Sequence, residues 1–144
     1  MRRRGGCYDK CLVMSHVILA LLLAATTAPT ASGVVLSGKV SGASGKGTVH
    51  VVLWQSDGFL KHPTAEVHFD PGTSTSFHFG VLPGRYALSA FEDLNGNGIL
   101  DMGMFGPKEP TGFWRPFRGW HKPRFEEVAT LFEGDTRDLD IVLK

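Results

Sequence analysis

The sequence predicts an all-β fold of the sandwich or barrel type. Three observations support this: short apolar runs are separated by turn residues, glycine is frequent (18 of 144 residues, alongside 8 prolines), and no segment has a sustained 3.6-residue apolar repeat. A chain of 144 residues has room for one ordinary domain. The sequence therefore predicts a single β domain, preceded by a segment of different composition.

Residues 1–33 are predicted to be a cleaved export signal. Arginines at positions 2–4 give a positive start, Leu12–Ala25 is an almost unbroken apolar run, and small residues follow it. Both Ala28 and Gly33 fit as the residue before the cleavage site. The apolar run is short for a membrane span, so a retained anchor is the less favoured alternative. We expect a periplasmic or extracellular protein that meets the membrane only through its export signal.

Removing this segment changes the charge and the cysteine count of the remaining domain, residues 34–144. Four of the 15 basic and one of the 14 acidic residues precede residue 34, which leaves 11 and 13 and a net charge near −2. Both cysteines, Cys7 and Cys11, also lie in the signal. The domain therefore has no basic excess for nucleic acid and no disulfide. We expect a monomer that is held by its core, or by its core and a bound ion.

The strands are predicted in order from their apolar patterns. Val34–Val40 is the first strand, and Thr48–Trp54 is apolar on both faces and is therefore placed centrally in a sheet. Later strands are predicted at Ala65–Phe69, Ser76–Val81, Arg85–Glu92, Ala129–Phe132 and Leu139–Leu143. The last two are expected to pair through a turn at residues 133–135. Phe125–Thr130 has room for one helical turn at most.

The segment Phe77–Ala90 resembles the F-x-F-x-x-L-P-x-G-x-Y-x-L hairpin of transthyretin-like and carboxypeptidase-regulatory-like β-sandwich domains. The matching residues are Phe77, Phe79, Leu82, Pro83, Gly84, Tyr86 and Leu88. With the following FEDLNGNGILD, FGPKEPTGF and PRFEE segments, the chain is similar to the bacterial family catalogued as domain of unknown function 2141, over most of residues 34–144. The resemblance implies a small exported seven-stranded sandwich and implies no established activity. It departs from the family pattern around Phe113–His121.

The loop Asp93–Asp101 matches the start of an EF-hand-type calcium loop, D-x-[DN]-x-[DN]-G. The predicted ligands are Asp93, Asn95, Asn97, the backbone carbonyl of Ile99, and Asp101. Gly98 stands where the sharp turn needs glycine, but Met104 stands where an EF-hand has a bidentate glutamate. We therefore expect weak calcium binding, with a Kd of about 10⁻⁴–10⁻³ M, and Glu92 or Glu109 as a further ligand. The alternative is an Asn-Gly turn without an ion.

The segment Gly112–Phe125 interleaves aromatic and basic residues with no acidic residue between them. It predicts a surface for an anionic glycan or a membrane, because aromatic rings stack on sugars or lipids and arginine binds carboxylate or phosphate. The candidate ligand-binding residues are Trp114, Arg115, Arg118, Trp120 and Lys122. The alternative is a loop that folds over one edge of the sandwich and adds to its core.

Other catalytic and metal-binding patterns are weaker. His68 and His78 are candidates for a zinc pair on neighbouring strands, and no nucleophile motif or catalytic triad stands out. The sequence thus favours an exported, non-enzymatic binding module at the bacterial envelope. Its expected partner is an envelope protein or glycan, and an envelope hydrolase is the remaining alternative.

Overall fold

The computed structural model describes residues 32–144, which form ten strands and one short helix. In chain order these are β1 (Val34–Ser41), β2 (Thr48–Trp54), β3 (Ala65–Phe69), β4 (Ser76–Val81), β5 (Gly84–Asp93), β6 (Met102–Gly103), β7 (Gly106–Pro107), β8 (Thr111–Phe113), α1 (Phe125–Val128), β9 (Thr130–Phe132) and β10 (Thr136–Val142). The three additional strands, β6, β7 and β8, have only two or three residues each, and with them ten strands replace the predicted seven. The predicted export signal lies outside the described residues, apart from positions 32 and 33, and stays a prediction.

Two sheets pack against each other to form a sandwich. The first has the order β10-β1-β4, with β1 parallel to β10 and antiparallel to β4. The second is antiparallel and has the order β3-β2-β5-β8, and β9 pairs with the first residues of β5. The predicted all-β sandwich is therefore confirmed.

The core between the sheets follows from strand alternation. Apolar residues spaced two apart point inward, as Phe77 and Phe79 do in β4 and as Tyr86, Leu88 and Ala90 do in β5. These residues join buried residues of β1, β2, β9 and β10 in one apolar cluster. β2 is buried along its length, as expected for a central strand.

The outer face of the second sheet carries a second, aromatic cluster. Trp54 and Ala87 pair across β2 and β5 and lie on that face, where Phe125 and Val128 of α1 cover them. The single turn of α1 begins at Phe125, as the sequence predicts. Within residues 32–144, no helix combines the length and the apolar character that a membrane crossing needs.

Two predicted strand pairings are wrong. β4 and β5 do not form a hairpin: β4 pairs with β1 in the first sheet and β5 pairs with β2 in the second, so the Pro83 turn crosses between the sheets. The last two strands do not pair with each other either. β9 pairs with β5, whereas β10 runs parallel to β1. The predicted and the observed pairings bury the same apolar residues. The alternation of apolar and polar residues therefore does not determine which strands pair.

Candidate functional site

The loop after β5 is organised around the buried carboxylate of Asp93. Its Oδ1 accepts the backbone N–H groups of Gly96 at 2.8 Å and Asn97 at 3.3 Å, and its Oδ2 accepts that of Gly98 at 2.7 Å. Gly96 and Gly98 have φ angles of 73° and 75°, a left-handed conformation that favours glycine. The side chain of Asp93, at loop position 1, therefore holds the next five residues in a tight turn through three hydrogen bonds.

The other side chains predicted to bind calcium also converge. The side-chain amide of Asn95 donates to Asp101 Oδ2, and that of Asn97 donates to both oxygens of Asp101 at 3.2 and 3.3 Å. The Oδ1 atoms of Asn95 and Asn97 accept the N–H groups of Asn97 and Ile99 at 3.0 and 2.9 Å. The structure thus brings Asn95, Asn97 and Asp101 together, with Ile99 in the same turn.

Glu109, which is buried, joins the two ends of this loop. Its Oε1 accepts the N–H of Leu94 at 2.9 Å, and its Oε2 accepts the N–H of Asp101 at 3.2 Å. A buried glutamate in an otherwise exposed, Pro-rich segment gives no periodic signal in the sequence. Glu109 therefore holds the loop closed through two backbone hydrogen bonds.

Glu92, the other acid considered as a calcium ligand, forms its hydrogen bonds with a different loop, the one between β1 and β2. It is fully buried and accepts four hydrogen bonds: from Ser44 N at 2.7 Å, Ser44 Oγ at 2.8 Å, Lys46 N at 3.0 Å and Gly47 N at 3.1 Å. Glu92 continues the series Tyr86, Leu88 and Ala90, whose side chains alternate inward along β5. This spacing in the sequence indicates that Glu92 also faces inward. Glu92 therefore braces the β1–β2 loop.

Both adjacent acids have lowered pKa values. Burial alone would raise the pKa of Glu92, but the hydrogen bonds from Ser44, Gly47 and Lys46 outweigh it and lower that pKa. The pKa of Asp93 is lowered in the same way: burial opposes the ionised form, and the N–H groups of Gly98, Gly96 and Asn97, with a smaller effect of His50, favour it. Both side chains are thus carboxylates at neutral pH.

His50, in the middle of β2, connects the loop to the outer face of the sheet. Its Nε2 lies 3.8 Å from Asp93 Oδ2, and its Nδ1 lies 2.7 Å from Glu66 Oε1 on β3. The ring stacks on Phe91 with centroids 4.7 Å apart and planes 5° apart. Its place opposite His68 depends on the β2–β3 register, which the sequence does not encode locally.

The arrangement can accept a hard cation. A carboxylate offers about four lone-pair positions and an amide oxygen two, so Asp93, Asn95 and Asn97 each keep at least one free after their backbone hydrogen bonds. Within residues 32–144, neither Asp101 nor Glu109 pairs with a lysine or arginine. The loop therefore offers carboxylate and amide oxygens, the ligand types that calcium prefers.

The candidate residues in segment 112–125 fall into two groups. Trp114 is half-buried and packs against Phe132, with ring centroids 5.7 Å apart, and Arg115 Nη1 donates to the carbonyl of Ala129 at 3.2 Å. Arg118, Trp120 and Lys122 are exposed, and Trp120 is as exposed as in an extended chain. The structure therefore leaves Arg118, Trp120 and Lys122 on the surface, packs the half-buried Trp114 against the core, and bonds the exposed Arg115 to the backbone.

The predicted placement of His68 and His78 on neighbouring strands is wrong. His78 pairs with Ser37 in the first sheet, whereas His68 pairs with His50 in the second. The error has the same origin as the hairpin error, because β3 and β4 are consecutive in the chain yet belong to different sheets.

Comparison with known proteins places the chain in a family. A family model described as "Uncharacterized protein conserved in bacteria (DUF2141)" matches residues 39–140. No curated protein and no solved structure matches the chain. The match runs from the last three residues of β1 through most of β10 and includes the complete Asp93–Asp101 loop. The chain therefore belongs to this family of uncharacterised bacterial proteins, DUF2141.

Proposed function

We propose that this protein is an exported, non-enzymatic binding module of the bacterial envelope, and that the Asp93–Asp101 loop binds calcium. The observation that carries the proposal is the convergence of the Asn95 and Asn97 side chains on Asp101, with Glu109 closing the loop. Rotation of each side-chain amide by 180° would turn its oxygen, the atom that calcium binds, toward Asp101. Four oxygen-bearing side chains in one tight turn suit calcium, which takes six to eight oxygen ligands. The remaining ligands would be the carbonyl of Ile99 and water.

A binding role is supported by the apolar side chains around this loop. Five large ones are exposed in residues 94–105: Leu94, Ile99, Met102, Met104 and Phe105. Met104 and Phe105 are 91% and 98% exposed and form the turn between β6 and β7. Grouped exposed apolar residues are typical of interaction sites. Calcium would fix the shape of the loop that presents them to an envelope protein or glycan.

The calcium proposal is tested by thermal unfolding of the purified protein in EGTA and in about 10 mM calcium. With a Kd of about 10⁻⁴–10⁻³ M, calcium should add about 1.4–2.7 kcal/mol and raise the melting temperature by several degrees. Asp101→Ala should abolish this rise and leave the melting temperature in EGTA nearly unchanged, because its side chain is bonded only by Asn95 and Asn97.

Two comparisons make that test specific. Asp57→Asn, at an exposed aspartate after β2, should retain the full response to calcium. Asp93→Ala is a poor test, because it also removes the acceptor of three backbone N–H groups and should destabilise the protein without calcium. An equal melting temperature with and without calcium in the unmodified protein would refute the calcium site.

A second candidate function is binding of an anionic glycan or membrane surface through Arg118, Trp120 and Lys122. The observation that favours it is the full exposure of Trp120 between two exposed cations. Replacing these three residues by alanine should abolish co-sedimentation with anionic polysaccharide or vesicles and leave the melting temperature within about 2 °C. Trp114→Ala should instead destabilise the protein by about 3 kcal/mol, since its ring packs on Phe132. Unchanged co-sedimentation of the triple variant would exclude this surface.

A further inference from the structure

We propose a second metal site, distinct from the calcium loop: His50, Glu66 and His68 bind a divalent transition-metal ion of the zinc class. The three side chains lie on the outer face of the second sheet, where β2 pairs with the edge strand β3. One ligand atom from each lies within 4.8 Å of the others. Two imidazoles and one carboxylate are the ligand types that zinc, copper and nickel prefer, whereas calcium prefers oxygen alone.

The strand register produces this arrangement. His50 is directly opposite His68, and Glu66 lies two residues from His68 on the same face of β3. The ring centroids of His50 and His68 are 5.3 Å apart, and this separation allows each imidazole to turn a nitrogen toward one shared point. The backbone of an antiparallel pair therefore fixes the three ligands without a dedicated loop.

A hydrogen bond already joins His50 to Glu66. The Nδ1–Oε1 distance of 2.7 Å needs a proton between the two atoms, since otherwise two lone pairs would face each other. The other nitrogen of the same ring faces the Asp93 carboxylate. A metal ion can take the place of the shared proton. Tetrahedral ligation at about 2.0–2.1 Å would need the two atoms about 3.3 Å apart, about 0.6 Å more than their present separation.

The site is open to solvent on one side and supported on the other. His68 and Glu66 are exposed on the edge strand, so an ion and its water ligand can reach them. His50 is buried, and its ring is stacked on Phe91. Asp93 would act as a positioning residue: its carboxylate, 3.8 Å from Nε2, favours the tautomer with the proton on Nε2 by electrostatic attraction, and this tautomer has the Nδ1 lone pair free for the metal.

The test is isothermal titration of zinc into the purified protein in EGTA-free, calcium-free buffer, with Cys7 and Cys11 alkylated. One zinc per chain should bind, and cobalt should give the visible absorption of a tetrahedral site. His68→Ala should weaken zinc binding at least about tenfold and leave the fold intact, because His68 is exposed. Glu66→Gln should weaken it by a similar factor.

The matched control is His78→Ala, which removes an exposed strand histidine from the other sheet and should bind zinc as the unmodified protein does. Asp101→Ala should also bind zinc normally, so loss of the calcium site does not imply loss of this one. The proposal is overturned if zinc does not bind, if His68→Ala binds it unchanged, or if His78→Ala weakens it as much as His68→Ala does.

Discussion

Gly38→Ala is expected to destabilise the protein by about 3 kcal/mol, the cost of forcing extra volume against a backbone that cannot move freely. A Cβ atom at Gly38 would lie 1.9 Å from the carbonyl oxygen of Leu139 and 2.6 Å from its carbonyl carbon. Leu139 is 2% exposed and belongs to the core. The parallel pair β1–β10 would therefore have to separate, and the melting temperature should fall by roughly 10 °C.

The cause of this close approach is an irregularity in β10. Leu36 and Gly38 of β1 face Thr136 and Leu139, so β10 has one residue more than β1 in that interval. Asp138, within the extra stretch, has a φ angle of 61°. At this bulge the backbone of β10 lies so close to β1 that only glycine, which has no side chain, fits at position 38.

Gly80→Ala is the matched control for Gly38→Ala. Gly80 lies in β4, on the other side of β1, and a Cβ there meets nothing within 4 Å. This variant should be as stable as the unmodified protein or slightly more stable, since alanine reduces the freedom of the unfolded chain. Urea unfolding at 25 °C measures both. Equal stabilities of the two variants would show that the β1–β10 contact adapts at little cost.

Glu92→Gln is expected to cost about 3 kcal/mol at neutral pH, although the two side chains have the same shape. The carboxylate is fully buried and accepts three backbone N–H groups and one hydroxyl from residues 44–47. An amide replaces one accepting oxygen by a donating NH₂ group, which would face other donors. The charge that strengthens the remaining hydrogen bonds is also lost.

The same variant should change the dependence of stability on pH. Because the folded state lowers the pKa of Glu92, its contribution is complete above the unfolded pKa of about 4.3 and is lost as pH falls through the folded pKa. The unmodified protein should therefore lose stability below about pH 4, and Glu92→Gln should lose less over that interval. Asp93 contributes in the same direction, so some dependence should remain.

Urea unfolding between pH 7 and pH 3 in EGTA measures this difference. Glu133→Gln, at an exposed glutamate before β10, is the control and should follow the unmodified protein at every pH. If Glu92→Gln were as stable as the unmodified protein at pH 7, the β1–β2 loop would not depend on the charge of Glu92.

Local sequence pattern was sufficient to predict most of the longer strands. Ala65–Phe69 and Ser76–Val81 match β3 and β4 residue for residue, because each alternates between apolar and polar positions and is bounded by turn residues. β9 matches the predicted strand Ala129–Phe132 to within one residue. The three-residue β8 was not predicted: it extends the edge of β5 by three residue pairs. Partners that are distant in sequence determine such short strands, and a local pattern does not contain them.

In the candidate sites, too, contacts between residues close in sequence were predictable and contacts between distant residues were less so. The loop ligands Asp93, Asn95, Asn97 and Asp101 are close in sequence, and their spacing alone predicted that they converge. Glu109 reaches that loop from beyond the β6–β7 turn, and His50 reaches Asp93 across the sheet. Those two contacts depend on register and on the path of a loop. The sequence therefore predicted that the loop residues converge and named Glu109 as a candidate, but it gave no sign of the contact between His50 and Asp93.

The most direct test of the account is a calcium titration followed by ¹H–¹⁵N correlation spectra of the purified protein. We expect saturable shifts, with a Kd of about 10⁻⁴–10⁻³ M, in the backbone amides of Gly96, Asn97 and Gly98 and in the side-chain amides of Asn95 and Asn97. Asp101→Ala should remove these shifts. Unchanged spectra up to about 10 mM calcium, or the same shifts in Asp101→Ala, would contradict it.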